Sequence, residues 1–232
     1  MASNPTLIDA EVLREFFEKA EPLLTAEYLA QLSSDLAGRR LRVKAALPDW
    51  PALWDLAFAT RRLPADERAL WQPRLEPMRG LIERADVHGA LELVESLPER
   101  PKWLVDWMTF WAHLVNPEVV WWARWVYTPA SETGALLLLL DNPTVLQGAA
   151  DLQGAYQRVS DAVRFLAAVL DSTRQLEGVE AEYRPMATLA LVYTVYMFTM
   201  ASWKLTEEFT HVLPPFPVVV RMLLGLNRWE GK

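Results

Sequence analysis

Apolar side chains recur every three or four positions over most of the chain, which is the spacing of an amphipathic helix. The first such stretch covers residues 9–36, where Asp9 is placed to cap the helix and Pro22 to interrupt it. Thr25 is placed to cap the piece after the break, and Gly38 is predicted to end it. Further helices are predicted over residues 51–60, 63–85, 86–97, 100–127, 142–176, 185–203 and 218–229.

Prolines divide several of these helical stretches, because proline lacks the backbone N–H that a helix interior requires. Pro73 and Pro77 interrupt the third stretch, which predicts one kinked helix or two shorter helices. Pro117 divides residues 100–127 into two consecutive helices. Asn142 precedes another proline, an arrangement typical of a helix start, and it is predicted to begin the long helix that ends near residue 176.

Strand signals are sparse in this sequence. Residues 134–140 are apolar on every side and predict either a buried helical turn or a buried strand. No segment alternates apolar and polar residues, and there is no Asn-Gly or Asp-Gly hairpin signal. The sequence therefore predicts an all-α fold, a bundle of about eight to ten helices, several of them kinked at proline, without a significant sheet. We interpret residues 1–232 as a single domain in which an N-terminal helical layer, 1–99, can pack on a core bundle, 100–232.

The run from Pro185 to Trp203 carries no charged side chain and is long enough to cross a bilayer. Its small and bulky residues fall on different faces of the predicted helix. The bulky face comprises Leu189, Tyr193, Tyr196, Met200 and Trp203. Such a division favours packing against specific protein neighbours, so we interpret the run as a buried helix of a soluble bundle and disfavour a membrane segment.

Composition narrows the class of protein. Apolar residues make up 52% and charged residues 23%, as in a globular chain. The absence of cysteine excludes disulfides, thiolate nucleophiles and cysteine-ligated zinc. A net charge of −7 argues against general coating of nucleic acid. The first residues lack the basic and apolar regions of a signal peptide, so a cytoplasmic location is expected.

Tryptophan is the unusual component, with 11 residues of which six lie between residues 103 and 125. Their helical spacing favours a role in the core. Arg124 lies among them, and a buried guanidinium would need a partner. One interpretation is a pocket for an anionic or apolar ligand, in which Trp107, Trp121 and Trp125 surround Arg124. The alternatives are an internal ion pair or an arginine that reaches solvent.

A group of basic residues follows the second predicted helix. They can form a phosphate-binding patch, and they are Arg39, Arg40, Arg42, Lys44, Arg61 and Arg62. On a helix the first four spread widely around the axis, which argues against a single basic face. The alternative is a solvated basic turn without a nucleic-acid partner.

Catalytic and metal-binding patterns are weak. Asp106 and His113 lie on one predicted helix and can support acid–base chemistry, although a surface polar stripe is the simpler interpretation. Glu208 and His211 have the spacing found in di-iron bundles, but no second such pair exists. No serine lies in a nucleophile motif and no Gly-rich phosphate loop is present. We therefore predict no catalytic residue, metal or cofactor and favour a non-enzymatic protein.

The sequence favours a helical binding or interaction protein that acts as a subunit of a homo-oligomer or hetero-oligomer. Its partner would be another protein or a second copy of itself, contacted through the Trp-rich helices and the apolar segment 218–229. A nucleic-acid-associated protein that uses residues 39–62 is one alternative. A small-molecule pocket around Arg124 is the other.

Overall fold

A computed structural model describes residues 7–46, 49, 54, 60, 63–204 and 214–226, with the side chains of 46 and 202–204 excepted. Among these residues the chain forms nine α-helices and no sheet, so the predicted all-α fold is confirmed. The helices are α1 (Ala10–Ala20), α2 (Ala26–Ala46), α3 (Ala65–Arg74), α4 (Glu76–Glu83), α5 (Val87–Ser96), α6 (Leu104–Val115), α7 (Leu152–Thr173), α8 (Arg184–Lys204) and α9 (Phe216–Leu223). Extended pairing among the described residues is limited to two isolated bridges, Ile8 with Leu140 and Thr128 with Thr133.

Some predictions fall outside the described residues. They concern most of the helix at 51–60, the basic residues Arg61 and Arg62, the Glu208/His211 pair, the Trp203 side chain and the chain beyond residue 226. Within the stretch 51–60, Trp54 is helical and Thr60 lies in a turn.

The N-terminal helix starts are the predicted ones. Asp9 Oδ1 accepts hydrogen bonds from the backbone N–H groups at positions 11 and 12, at 2.9 and 3.0 Å. Thr25 Oγ1 accepts the N–H of Tyr28 at 3.1 Å, after a 3₁₀ turn that contains Pro22. The prediction that Gly38 ends this second helix is wrong, because α2 continues to Ala46. Glycine costs only about 1 kcal/mol inside a helix, and buried apolar residues continue along α2 on both sides of it.

The predicted helix after Pro117 is also wrong. Residues 116–133 form extended segments and turns, and only α6 of the expected pair is helical. Several backbone N–H and carbonyl groups here form hydrogen bonds with side chains outside the segment, so they do not need the hydrogen bonds of a helix. Trp122 N donates to Thr109 Oγ1 at 3.0 Å, and the Val120 N–H and carbonyl both bond the Tyr156 hydroxyl at 3.1 Å.

Nearby prolines and capping side chains set two further helix boundaries. Pro73 lies in the last turn of α3, which ends at Arg74, and Pro77 lies in the first turn of α4, so the third predicted stretch is two helices. Asn142 caps a short 3₁₀ turn, 143–146, rather than the long helix. That helix, α7, starts at Leu152 after Asp151, whose Oδ1 accepts the N–H of residue 154 at 2.6 Å.

Residues in mutual contact group into two compact units. The first contains described residues of 7–36, 125–147, 161–204 and 214–226, and the second contains those of 37–124 and 148–160. These units do not follow a division at residue 99. The layered arrangement of 1–99 on 100–232 therefore stays a prediction.

In the first unit α8 is the central helix, and both α1 and α9 pack against it. Its first half is buried, with Leu189, Ala190 and Val192 almost fully enclosed. Phe198 on α8 contacts Phe216 on α9 with ring centres 5.7 Å apart. Among the described residues, no helix combines the length and the apolar character that a membrane crossing requires.

An ion pair joins helix α9 to helix α2. Arg221 Nη1 lies 2.6 Å from Asp35 Oδ2, and both side chains are largely shielded from solvent. Tyr28 lies on α2, and its buried hydroxyl has no hydrogen-bond partner among the described residues. Burial raises the pKa of Tyr28 to about 12, while the positive charge of Arg221 acts in the opposite direction.

In the second unit, α4, α5 and α6 pack against one another. Asp86 caps α5 by accepting the N–H of Gly89 at 3.0 Å. Helix α6 contributes Trp107, Phe110 and Trp111 to the aromatic core of this unit.

Substitution by alanine should have opposite effects on stability at two glycines, Gly134 and Gly38. Gly134 has φ +138°, and an added Cβ would lie 2.4 Å from the Val126 carbonyl oxygen. Gly38 is helical, with nothing within 4 Å of an added Cβ. We expect Gly134→Ala to lower the free energy of unfolding by about 2 kcal/mol or more. Gly38→Ala should raise it by about 0.5 to 1 kcal/mol. Urea unfolding measures both, and equal shifts would contradict the structure.

Tyr28→Phe should change how stability depends on pH. The raised pKa means that the folded chain keeps the phenolic proton while the unfolded chain loses it. The stability that the folded chain gains by keeping this proton is fully present below about pH 10 and is lost as pH rises toward 12. We therefore expect a smaller loss of unfolding free energy in the variant over this window, measured by urea unfolding of both chains. Parallel pH profiles would contradict the burial of the hydroxyl.

Candidate functional site

Four tryptophans form one packed cluster in the second unit. Trp54 lies 5.8 Å from Trp103 and 5.1 Å from Trp107 between ring centres. Trp103 also contacts Trp107 at 6.3 Å and Trp71 at 5.9 Å, both edge to face. Such geometry is favourable for aromatic quadrupoles. Trp107 has 0% of its surface exposed, so this predicted ligand-binding residue lies in the core.

A second aromatic group surrounds Phe110 on α6. Its ring lies 5.0 Å from Trp111 and 4.9 Å from Trp121. Trp121 retains 6% exposure and donates its indole N–H to Asp106 Oδ1 at 2.7 Å. The indole therefore has its polar atom satisfied within the chain.

Asp106, Thr109 and His113 form a polar cluster on one side of α6. Besides the Trp121 indole, it binds the backbone of the segment after Pro117. The His113 Nδ1 lies 2.7 Å from the Val119 carbonyl oxygen. Because a carbonyl only accepts, Nδ1 carries a proton. The interpretation as a surface stripe is wrong for His113, which is 3% exposed. Thr109 and His113 are buried, and each bonds a backbone group that no helix pairs, while Asp106 is partly exposed.

Arg124 does not have the environment that the sequence suggested. Its side chain is exposed in a turn, so the premise of a buried guanidinium is wrong. The helix that would have placed it among tryptophans does not form. Trp125 belongs to the first unit, where it is half-buried with its ring centre 6.5 Å from Tyr193. A pocket around Arg124 stays a prediction.

The basic residues of α2 have different environments. Arg39 is 1% exposed, with its guanidinium 5.7 Å from the centre of the Phe110 ring. Arg40 Nη2 donates to the Val115 carbonyl at 3.4 Å. Arg42 and Lys44 are exposed. Arg39 and Arg40 therefore contact the protein itself, and nucleic-acid binding through this region stays a prediction.

One partly exposed apolar surface of the first unit lies on the second half of α8. We call it the α8 face and define it as Tyr193, Tyr196, Met197 and Met200, which are all partly exposed. Their spacing of i, i+3, i+4 and i+7 places them on one side of the helix. Tyr196 is 37% exposed and stacks on Tyr193 at 6.1 Å. Trp125 extends the aromatic surface beside Tyr193.

No site prediction from the sequence included this α8 face, although a signal was present. The bulky face predicted for residues 185–203 contains Tyr193, Tyr196 and Met200. The period of the pattern identifies residues that share a side, but it cannot tell a covered side from an exposed one. Met197 lies outside the predicted bulky face and joins the exposed stripe only in the structure.

Comparison with known proteins adds no function: no family model, curated protein or solved structure matches the chain. No group of three or more potential metal ligands occurs within the part of the chain that the structure describes.

Thr109→Val tests the polar cluster. The substitution conserves volume but leaves the buried Trp122 N–H without its acceptor, so we expect a loss of about 1 to 3 kcal/mol in unfolding free energy. Thr194→Val is the matched control, since this buried hydroxyl only donates to the Ala190 carbonyl of its own helix. Urea unfolding should show a clearly smaller loss for the control. Equal losses would contradict a stabilising hydrogen bond between the Trp122 N–H and Thr109.

Proposed function

We propose that the chain is a non-enzymatic binding protein that contacts another protein molecule through the α8 face and acts as a subunit of an oligomer. The observation that supports this is a continuous stripe of partly exposed Tyr and Met side chains on a helix without charge between residues 185 and 203. Protein interfaces are enriched in tyrosine and methionine, and their cores are depleted in charged groups.

The α8 face has the physical properties of a contact surface. A tyrosine ring offers a large contact area at a low cost in conformational entropy. Methionine is flexible enough to fit the irregular surface of a partner. Tyr193 and Tyr196 already stack on each other, at 6.1 Å, so less side-chain freedom is lost on binding. Covering these side chains removes apolar area from water, which favours association by about 25 cal/mol per Å².

The two alternatives receive less support from the contacts. Arg39 and Arg40 contact their own chain, which leaves a smaller basic surface for phosphate. Trp107 is fully enclosed, and the Arg124 side chain is exposed rather than buried among tryptophans. The cytoplasmic location expected from the sequence stays a prediction.

Site-specific photo-cross-linking tests the proposed function. A photoreactive benzoylphenylalanine replaces Tyr196 in one variant and Phe165 of α7 in the matched control. Both positions carry an aromatic ring, both are 37% exposed, and both lie in the first unit. We expect illumination of cells that make the chain to give a several-fold higher yield of protein cross-links at 196, with the linked peptides identified by mass spectrometry. Equal yields at both positions would overturn the proposal.

A further inference from the structure

We draw no further inference here: the strongest candidate, the patch of partly exposed Tyr and Met side chains on the second half of α8, is the surface already described, and nothing in the structure shows what covers it.

Discussion

The second unit depends on hydrogen bonds to the backbone around Val120 and Trp122. This stretch is rich in tryptophan and buried, yet it is not helical, so its polar groups must find partners elsewhere. Thr109 and His113 on α6 supply two of these partners, and the hydroxyl of Tyr156 supplies another. With those bonds made, the large indoles can pack without the geometry of a helix. Without them, buried N–H and carbonyl groups would destabilise the unit by about 1 to 3 kcal/mol each.

Several tryptophans of the second unit lie in an aromatic core. Trp54 and Trp107 are enclosed, and aromatic neighbours cover their rings. Trp121 is enclosed as well, and Asp106 accepts the hydrogen bond from its indole. Their conspicuous number in the sequence therefore reflects mainly a large aromatic core. Trp125 differs, since its half-buried ring lies beside Tyr193, where the partly exposed half of α8 begins.

Helix α8 combines two roles along one uncharged segment. Its first half is core, with Leu189 and Ala190 enclosed and with α1 and α9 packed against the helix. Its second half is partly exposed on several sides, and there the lack of charge is no longer explained by burial. The contact with another protein that we propose would account for this uncharged, partly exposed half of the helix.

Local patterns in the sequence determined the helix class, the caps at Asp9 and Thr25, and the break between α3 and α4, because these features depend on neighbours within one or two turns. The tertiary structure decided the rest. Whether Trp122 lies in a helix depends on a threonine hydroxyl thirteen positions away, and whether Arg39 is exposed depends on the Phe110 ring. Periodicity placed Tyr193 and Tyr196 on one side of α8, but only packing determined that this side is partly open. Burial is a property of non-local neighbours, and a sequence read along one segment does not contain them.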